Sequence, residues 1–278
     1  METITKQQAR RRYLLGQLIR LTLILIVSFI FAFPFLWMFA ASFQRQLDII
    51  TPELAFTPTT INYENVLSRY NFLSFMVNSL IVAVLSTLLS LLFGLPASYA
   101  IARFRYDWLG LVLLTARIVP GITFLVPWYI LFTSLRLNGT YLALISSHML
   151  VSMPFVVWVM VPFFESLPHE VEEAARIDGA TLLGTFIRVV LPLSTPGITT
   201  AAIMSFIFSW NNFMFSFVLS GDNTRTLPVA IFNFISYASI DWGGLMAAAV
   251  LITLPVIFIT IFMQRYIVAG MTAGATKG

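Results

Sequence analysis

The sequence predicts an all-α, polytopic membrane protein with six transmembrane helices, and three observations carry that prediction. Of its 278 residues, 59% are hydrophobic and 10% charged, with a mean hydropathy of +0.89, whereas a soluble domain has about 25% charged residues. Six stretches lack charged side chains over lengths near the roughly 20 residues that cross a bilayer core. The basic residues between those stretches gather on one side once the six are threaded in alternation.

In chain order, the first stretch is Leu21 to Gln44, with 24 uncharged residues behind a basic start. That exceeds the about 7 to 15 residues of a signal-peptide apolar region, so it reads as a retained span. The others are Tyr70 to Ala102 (33 residues), Ile118 to Leu135 (18), Leu137 to Phe164 (28), Val189 to Gly221 (33) and Trp242 to Gln264 (23). The third is extended backward past Arg117 to about Trp108. This partition gives residues 1–71 as a basic N-terminus, first helix and first outer loop, residues 72–266 as a five-helix core holding the loop 165–192, and residues 267–278 as a tail. The apolar run Pro228 to Ile240 has 13 residues, too few to span, and reads as an external helix or a shallow re-entrant piece.

Orientation follows from the basic residues. With the N-terminus inside, the inner side receives Lys6, Arg10, Arg11, Arg12, Arg20, Arg103, Arg105, Arg176, Arg188, Arg265 and Lys277, and the outer side only Arg45, Arg69, Arg136 and Arg225. The bias predicts a multi-pass protein with both termini in the cytoplasm. It places the loop 165–192 inside as well.

That loop has its own helix signals. Pro168 suits a first helical turn, where its missing N–H would be unpaired anyway, and Glu170, Glu172 and Glu173 put negative charge at the positive end of the helix dipole. Gly179 suits the left-handed position after the last turn, and Thr181 suits the cap of a second short helix. The prediction is helix, turn, helix. Ala174 and Ala175 favour helix and leave little side chain in the way of another protein's surface.

Within the loop, Glu173-Ala174-Ala175 is followed after three residues by Gly179 and after nine more by Val189-Val190-Leu191-Pro192. This resembles the EAA-x3-G-x9-I-x-L-P signature of permease subunits in binding-protein-dependent, ATP-driven (ABC) importers, with Val189 where Ile is usual. Ala97 to Arg105 resembles the end of the second span in sugar-importer permeases. Trp210-Asn211-Asn212-Phe213 with Thr226-Leu227-Pro228-Val229 is similar to their fifth span and outer loop, and Ile267 to Gly278 resembles the tail of the maltose-type smaller permease.

The resemblance implies a type I ABC importer permease fold in the inner or plasma membrane of a prokaryote. It implies as partners a second permease subunit, an ATPase dimer that binds ATP and Mg, an extracytoplasmic sugar-binding protein, membrane lipid and a di- or oligosaccharide or sugar derivative as cargo. A non-sugar solute is the alternative cargo. It also implies that Glu173, Ala174, Ala175, Asp178, Gly179, Leu191 and Pro192 form the coupling element, with Glu173 and Asp178 as polar contacts to the ATPase. No cofactor or nucleic acid is expected on this chain itself.

Other residues admit two readings each. Ser79, Ala83, Ser86, Ser90, Gly94 and Ala97 share one helical face, as helix packing or pore lining. In the fifth span, Ser205, Ser209, Asn212, Ser216 and Ser220, with Asn211 beside them, either line a sugar path or bond between helices. Arg117 either faces a gate or cavity or snorkels to the headgroups. His148 has no second ligand at metal spacing and reads as a core or interhelical residue.

Competing function classes lack parts. There is no Cys, which removes disulfides and thiolate sites, and neither a nucleophile constellation nor a G-x-x-x-x-G-K-[ST] loop appears. A non-enzymatic transport subunit is expected. No Asp or Glu lies inside a predicted span, which argues against an ion-coupled secondary transporter.

Overall fold

The computed structural model describes residues 2–51, 56–235 and 239–273, and these are helical apart from turns, loops and one isolated antiparallel bridge between Ile235 and Ile240. The helices are α1 (Glu2–Ser42), α2 (Gln46–Ile50), α3 (Ile61–Arg69), α4 (Phe72–Phe104), α5 (Asp107–Ile118), α6 (Leu125–Ser134) and α7 (Tyr141–Ser166). They continue as α8 (His169–Ile177), α9 (Leu182–Thr185), α10 (Leu191–Leu193), α11 (Thr195–Trp210), α12 (Met214–Leu219), α13 (Leu227–Ala230) and α14 (Trp242–Ala273). The chain forms two compact units, one running to Val66 and including Phe234–Val250, the other comprising Leu67–Asn233 and the chain from Leu251 onward.

In the first unit, Tyr13–Ser42 is long and apolar enough to cross a membrane, and none of its most apolar stretch is buried by the chain. Phe29, Phe33 and Trp37 form a ladder along it, with ring centroids 5.9 and 6.2 Å apart. The carbonyls left open at its C-terminal end need donors. Asn62 Nδ2 supplies them, donating to the carbonyls of Ser42 and Gln44 at 2.8 Å each, while Ser42 Oγ and Tyr63 Oη share a 2.7 Å bond.

The second unit is organised by the small face of α4 packed on α7. Ser79, Ala83, Ser86, Ser90 and Gly94 are buried and Ala97 half-buried. At Gly94 a Cβ would come within 2.8 Å of Val156 Cγ1, so glycine sets how closely the two helices approach. The buried hydroxyls bond back to their own helix, Ser90 Oγ to the Ser86 carbonyl at 2.7 Å and Ser98 Oγ to the Gly94 carbonyl at 2.5 Å, a common solution in apolar surroundings. The packing reading of this stripe accounts for these facts.

Among the described residues, four helical segments can cross a bilayer by length and composition: Tyr13–Ser42, Phe72–Phe104, Tyr141–Ser166 and Trp242–Gln264. A fifth arises if Leu182–Leu193 and Thr195–Trp210, bent by 78° at Ser194, count as one. The expected third span is not continuous. Helix α5 stops before Val119, whose φ of −66° and ψ of 123° are extended, as the residue before a proline tends to be; a 3₁₀ turn over Gly121–Phe124 then leads into α6. The expected fifth span is interrupted too, by the bend beside Pro192 and Pro196 and by a break at Asn211–Phe213. The run from Pro228 is also shorter than expected: α13 is one turn, Ile231–Phe234 a 3₁₀ turn, and the bridge follows.

Candidate functional site

The site is built on α8 and the turn that closes it. Pro168, with φ −59° and ψ 132°, stands at the N-cap, and Glu170 and Glu172 occupy the first turn. At the other end the Ala180 amide bonds the Ala175 carbonyl at 3.0 Å and the Gly179 amide bonds the Arg176 carbonyl at 3.1 Å. These are the paired bonds of a Schellman motif. Gly179 has φ +91°, a left-handed conformation that a β-branched residue resists. Thr181 Oγ1 then accepts from the Gly184 amide at 3.1 Å and caps α9. The helix, turn, helix expected from the sequence is present, with Gly179 and Thr181 in the expected positions, while Pro168 stands one residue before the helix instead of in its first turn and Glu173 lies beyond that turn.

Exposure divides the spaced signature in two. Glu173, Ala174, Asp178 and Gly179 are exposed and Ala175 half-buried. Beyond α9, Phe186–Val190 forms a π-helical stretch whose Val190 is buried among Leu95, Tyr99, Val156, Met160 and Phe164, with Leu191 packed against that cluster. Pro192 is exposed and Val189 half-buried. The first half presents a surface and the second half anchors it.

A residue pair that the sequence did not single out holds α8 to the end of α4. Arg103 grips Glu172 Oε1 through Nη2 at 2.6 Å and Nε at 2.7 Å, and Tyr99 Oη donates to Glu172 Oε2 at 2.6 Å. The Arg103 and Glu172 side chains are only 6% and 12% exposed. Arg103 Nη2 also donates to the Leu167 carbonyl at 3.2 Å, and Nη1 lies 3.4 Å from His169 Nε2. Tyr99 is wedged by rings, with centroids 4.9 Å from Phe186 and 5.8 Å from Phe164. Arg103 stands in the last turn of α4, where the helix dipole favours a cation. The signal available in the sequence was that both charges sort to the same side of the membrane.

The candidate path residues are distributed differently. Ser209 Oγ accepts from Ser86 Oγ at 2.9 Å and lies 2.7 Å from His148 Nδ1, while Ser216 Oγ lies 3.3 Å from His148 Nε2. Buried His148 thereby links α11 and α12 across the break between them, and the interhelical reading accounts for Ser209 and Ser216. Ser205 is also buried. Asn211 is exposed, its amide donating to the Ile207 carbonyl at 3.0 Å, and Asn212 Oδ1 accepts from the Phe215 amide at 3.1 Å. Arg117 belongs to α5, and its side chain lies outside the described residues.

A groove of about 560 Å³ beside α11 is lined by Met76, Leu80, Phe206, Trp210, Leu254 and Phe258 among others, all apolar in character and unlike the polar lining a sugar requires. Among the described residues no group of three or more His, Asp or Glu could hold a metal ion.

Residues 13–273 match the family described as "binding-protein-dependent transport system inner membrane component". The trehalose/maltose transport system permease protein MalG of Thermococcus litoralis is 34% identical over 262 residues, covering 91% of this chain and 94% of that protein. The diacetylchitobiose uptake system permease protein DasC of Streptomyces coelicolor is 32% identical over 263 residues, covering 91% and 95%. The trehalose transport system permease protein SugB of Mycobacterium tuberculosis is 32% identical over 254 residues, covering 88% and 92%. Among solved structures, a chain of a bacterial ABC transporter involved in import of the acidic polysaccharide alginate superposes with a TM-score of 0.78 at 21% identity, covering 91% of this chain and 96% of its own. The fold is shared with that chain.

Proposed function

We propose that this chain, which belongs to the family of inner membrane components of binding-protein-dependent transport systems, passes a sugar into the cytoplasm on force supplied by a separate ATPase. The observation that carries the reading is the surface of α8 and its turn: Glu173, Ala174, Asp178 and Gly179 stand exposed on an element closed by two amide bonds and a threonine cap. Such a surface suits a partner, and the family supplies one. The carbohydrate assignment is supported by relatives named for trehalose, maltose and diacetylchitobiose.

In this reading the chain has six crossings, two of them interrupted, with α8 and both termini in the cytoplasm. A second permease chain completes the cavity, an extracytoplasmic binding protein delivers the sugar, and an ATPase dimer holds the ATP and Mg. Closure of the ATPases displaces α8, and the packed helices follow as a body from outward to inward opening. Asn211 and Asn212, at the break between α11 and α12, are the candidate polar lining.

The test is reconstitution with the sister permease, ATPase and binding protein in vesicles, with trehalose or maltose as cargo. Uptake should require ATP on the α8 side. Gly179→Val should lower both uptake and recovery of the ATPase with the permease, because it strains the turn by about 1–2 kcal/mol while a Cβ there meets no atom within 4 Å, so the bundle itself stays intact. Uptake by the lone chain without ATP would overturn the reading.

A further inference from the structure

Both covalent links of α8 are short and non-helical. Toward α7 the link is Leu167-Pro168, extended at Leu167 with φ −76° and ψ 133°, and toward α9 it is the left-handed turn at Gly179. A helix held only by such links can rock when pushed, and a displacement would be lost in the links instead of reaching the membrane. Arg103 closes the route toward α7 and pins the helix itself. It grips α8 through Glu172 and His169 and grips the link through the Leu167 carbonyl.

We infer that Arg103, Glu172 and Tyr99 lock α8 to α4, so that a displacement imposed on α8 enters the second membrane helix directly. The inference rests on the importer reading above. Arg103 and Glu172 are positioning residues in this scheme. The pair is well suited to bear load because it lies largely out of water, where charge attraction is strong and weakly screened by salt. An arginine is required: its planar fork donates in several directions at fixed angles, which a lysine ammonium cannot reproduce. Tyr99 keeps the second carboxylate oxygen from turning away, and its ring is fixed between Phe164 and Phe186.

The chain has no Cys of its own, so two spin labels can be placed on it at chosen sites, with the partner chains used in Cys-free form. Leu92→Cys, exposed on α4, and Glu170→Cys, exposed on α8, bracket the lock; Leu92 lies about 16 Å along the helix from Arg103 at 1.5 Å per residue. The distance between labels is measured by pulsed electron resonance on the full complex with its ATPase, nucleotide-free and after trapping with ATP and vanadate. With the lock intact, the distance is narrow and the same in both states. Glu172→Gln and Arg103→Lys should broaden it about twofold and make its mean differ between the two states; Arg103→Lys keeps the charge and serves if Glu172→Gln is poorly recovered. A merely structural role would not produce the dependence on nucleotide state. If both variants keep the parent distance in both states with the ATPase bound, the lock is overturned while the importer reading stands. If no ATPase binds the parent chain, both fall.

Discussion

Helix α4 is fastened at two ends in two different ways. Near its start, Asn78 Nδ2 donates to the carbonyls of Asn223 and Arg225 at 3.0 and 2.9 Å, Asn78 Oδ1 accepts from Tyr141 Oη at 2.6 Å, and Ser79 Oγ accepts from the Leu227 amide at 2.8 Å. Every group there is neutral, and most partners are backbone. Near its end, roughly 37 Å away at 1.5 Å per residue, a largely buried ion pair and a phenol hold a single short helix. Neutral amides stitch down a loop wherever its backbone passes, satisfying groups that would otherwise be buried without partners. A charged pair selects one carboxylate in one place. The first end is therefore built to order a loop and the second to hold one element against force.

Arg103→Ala puts this contrast under the greatest strain. It leaves the Glu172 carboxylate, 12% exposed, without its cation, and removal of one partner from a buried pair costs about 3–5 kcal/mol. The purified chain should unfold in detergent at a clearly lower temperature than the parent. Asn78→Ala at the other end removes three neutral bonds whose partners can turn toward water or one another, for an expected loss of about 1–3 kcal/mol. The first sign should be faster proteolysis of the loop around Asn223 to Arg225. Should Asn78→Ala cost more than Arg103→Ala, the distinction between a stitched end and a locked end fails.

Distance along the chain decided which features could be read from the sequence. The start of α8 and the turn after it were legible because Pro168, Gly179 and Thr181 act on neighbours within a few residues, through backbone geometry that each residue type dictates. The lock was not, because 69 positions separate Arg103 from Glu172, and each had a sufficient local role: one as a cytoplasmic-side cation, the other as an acid at a helix start. Arg103 was counted for orientation and Glu172 for the dipole. The broken spans were missed for another reason. Counting uncharged residues registers hydrophobic length but ignores Val119-Pro120-Gly121, a breaker signal, and likewise Pro192 and Pro196 at the 78° bend. The serine face of the fifth span was found, yet its purpose depended on His148, whose position opposite Ser209 and Ser216 is set by packing of α7 on α11.

A milder variant tests whether the lock and the turn act independently. Thr181→Ala removes the cap of α9 and exposes the Gly184 amide to water, which costs about 1 kcal/mol for an N-cap of this kind. The cost is modest because both groups of the 3.1 Å bond sit at an exposed position, so water replaces the lost hydroxyl. Hydrogen exchange should quicken at Gly184 and Thr185 and remain slow in α4. The distance between labels at positions 92 and 170 should not widen, since Glu172 and Arg103 are untouched. Widening there would mean that the turn, and not the ion pair, sets the position of α8, and the two ends of α4 would then differ in chemistry but not in purpose.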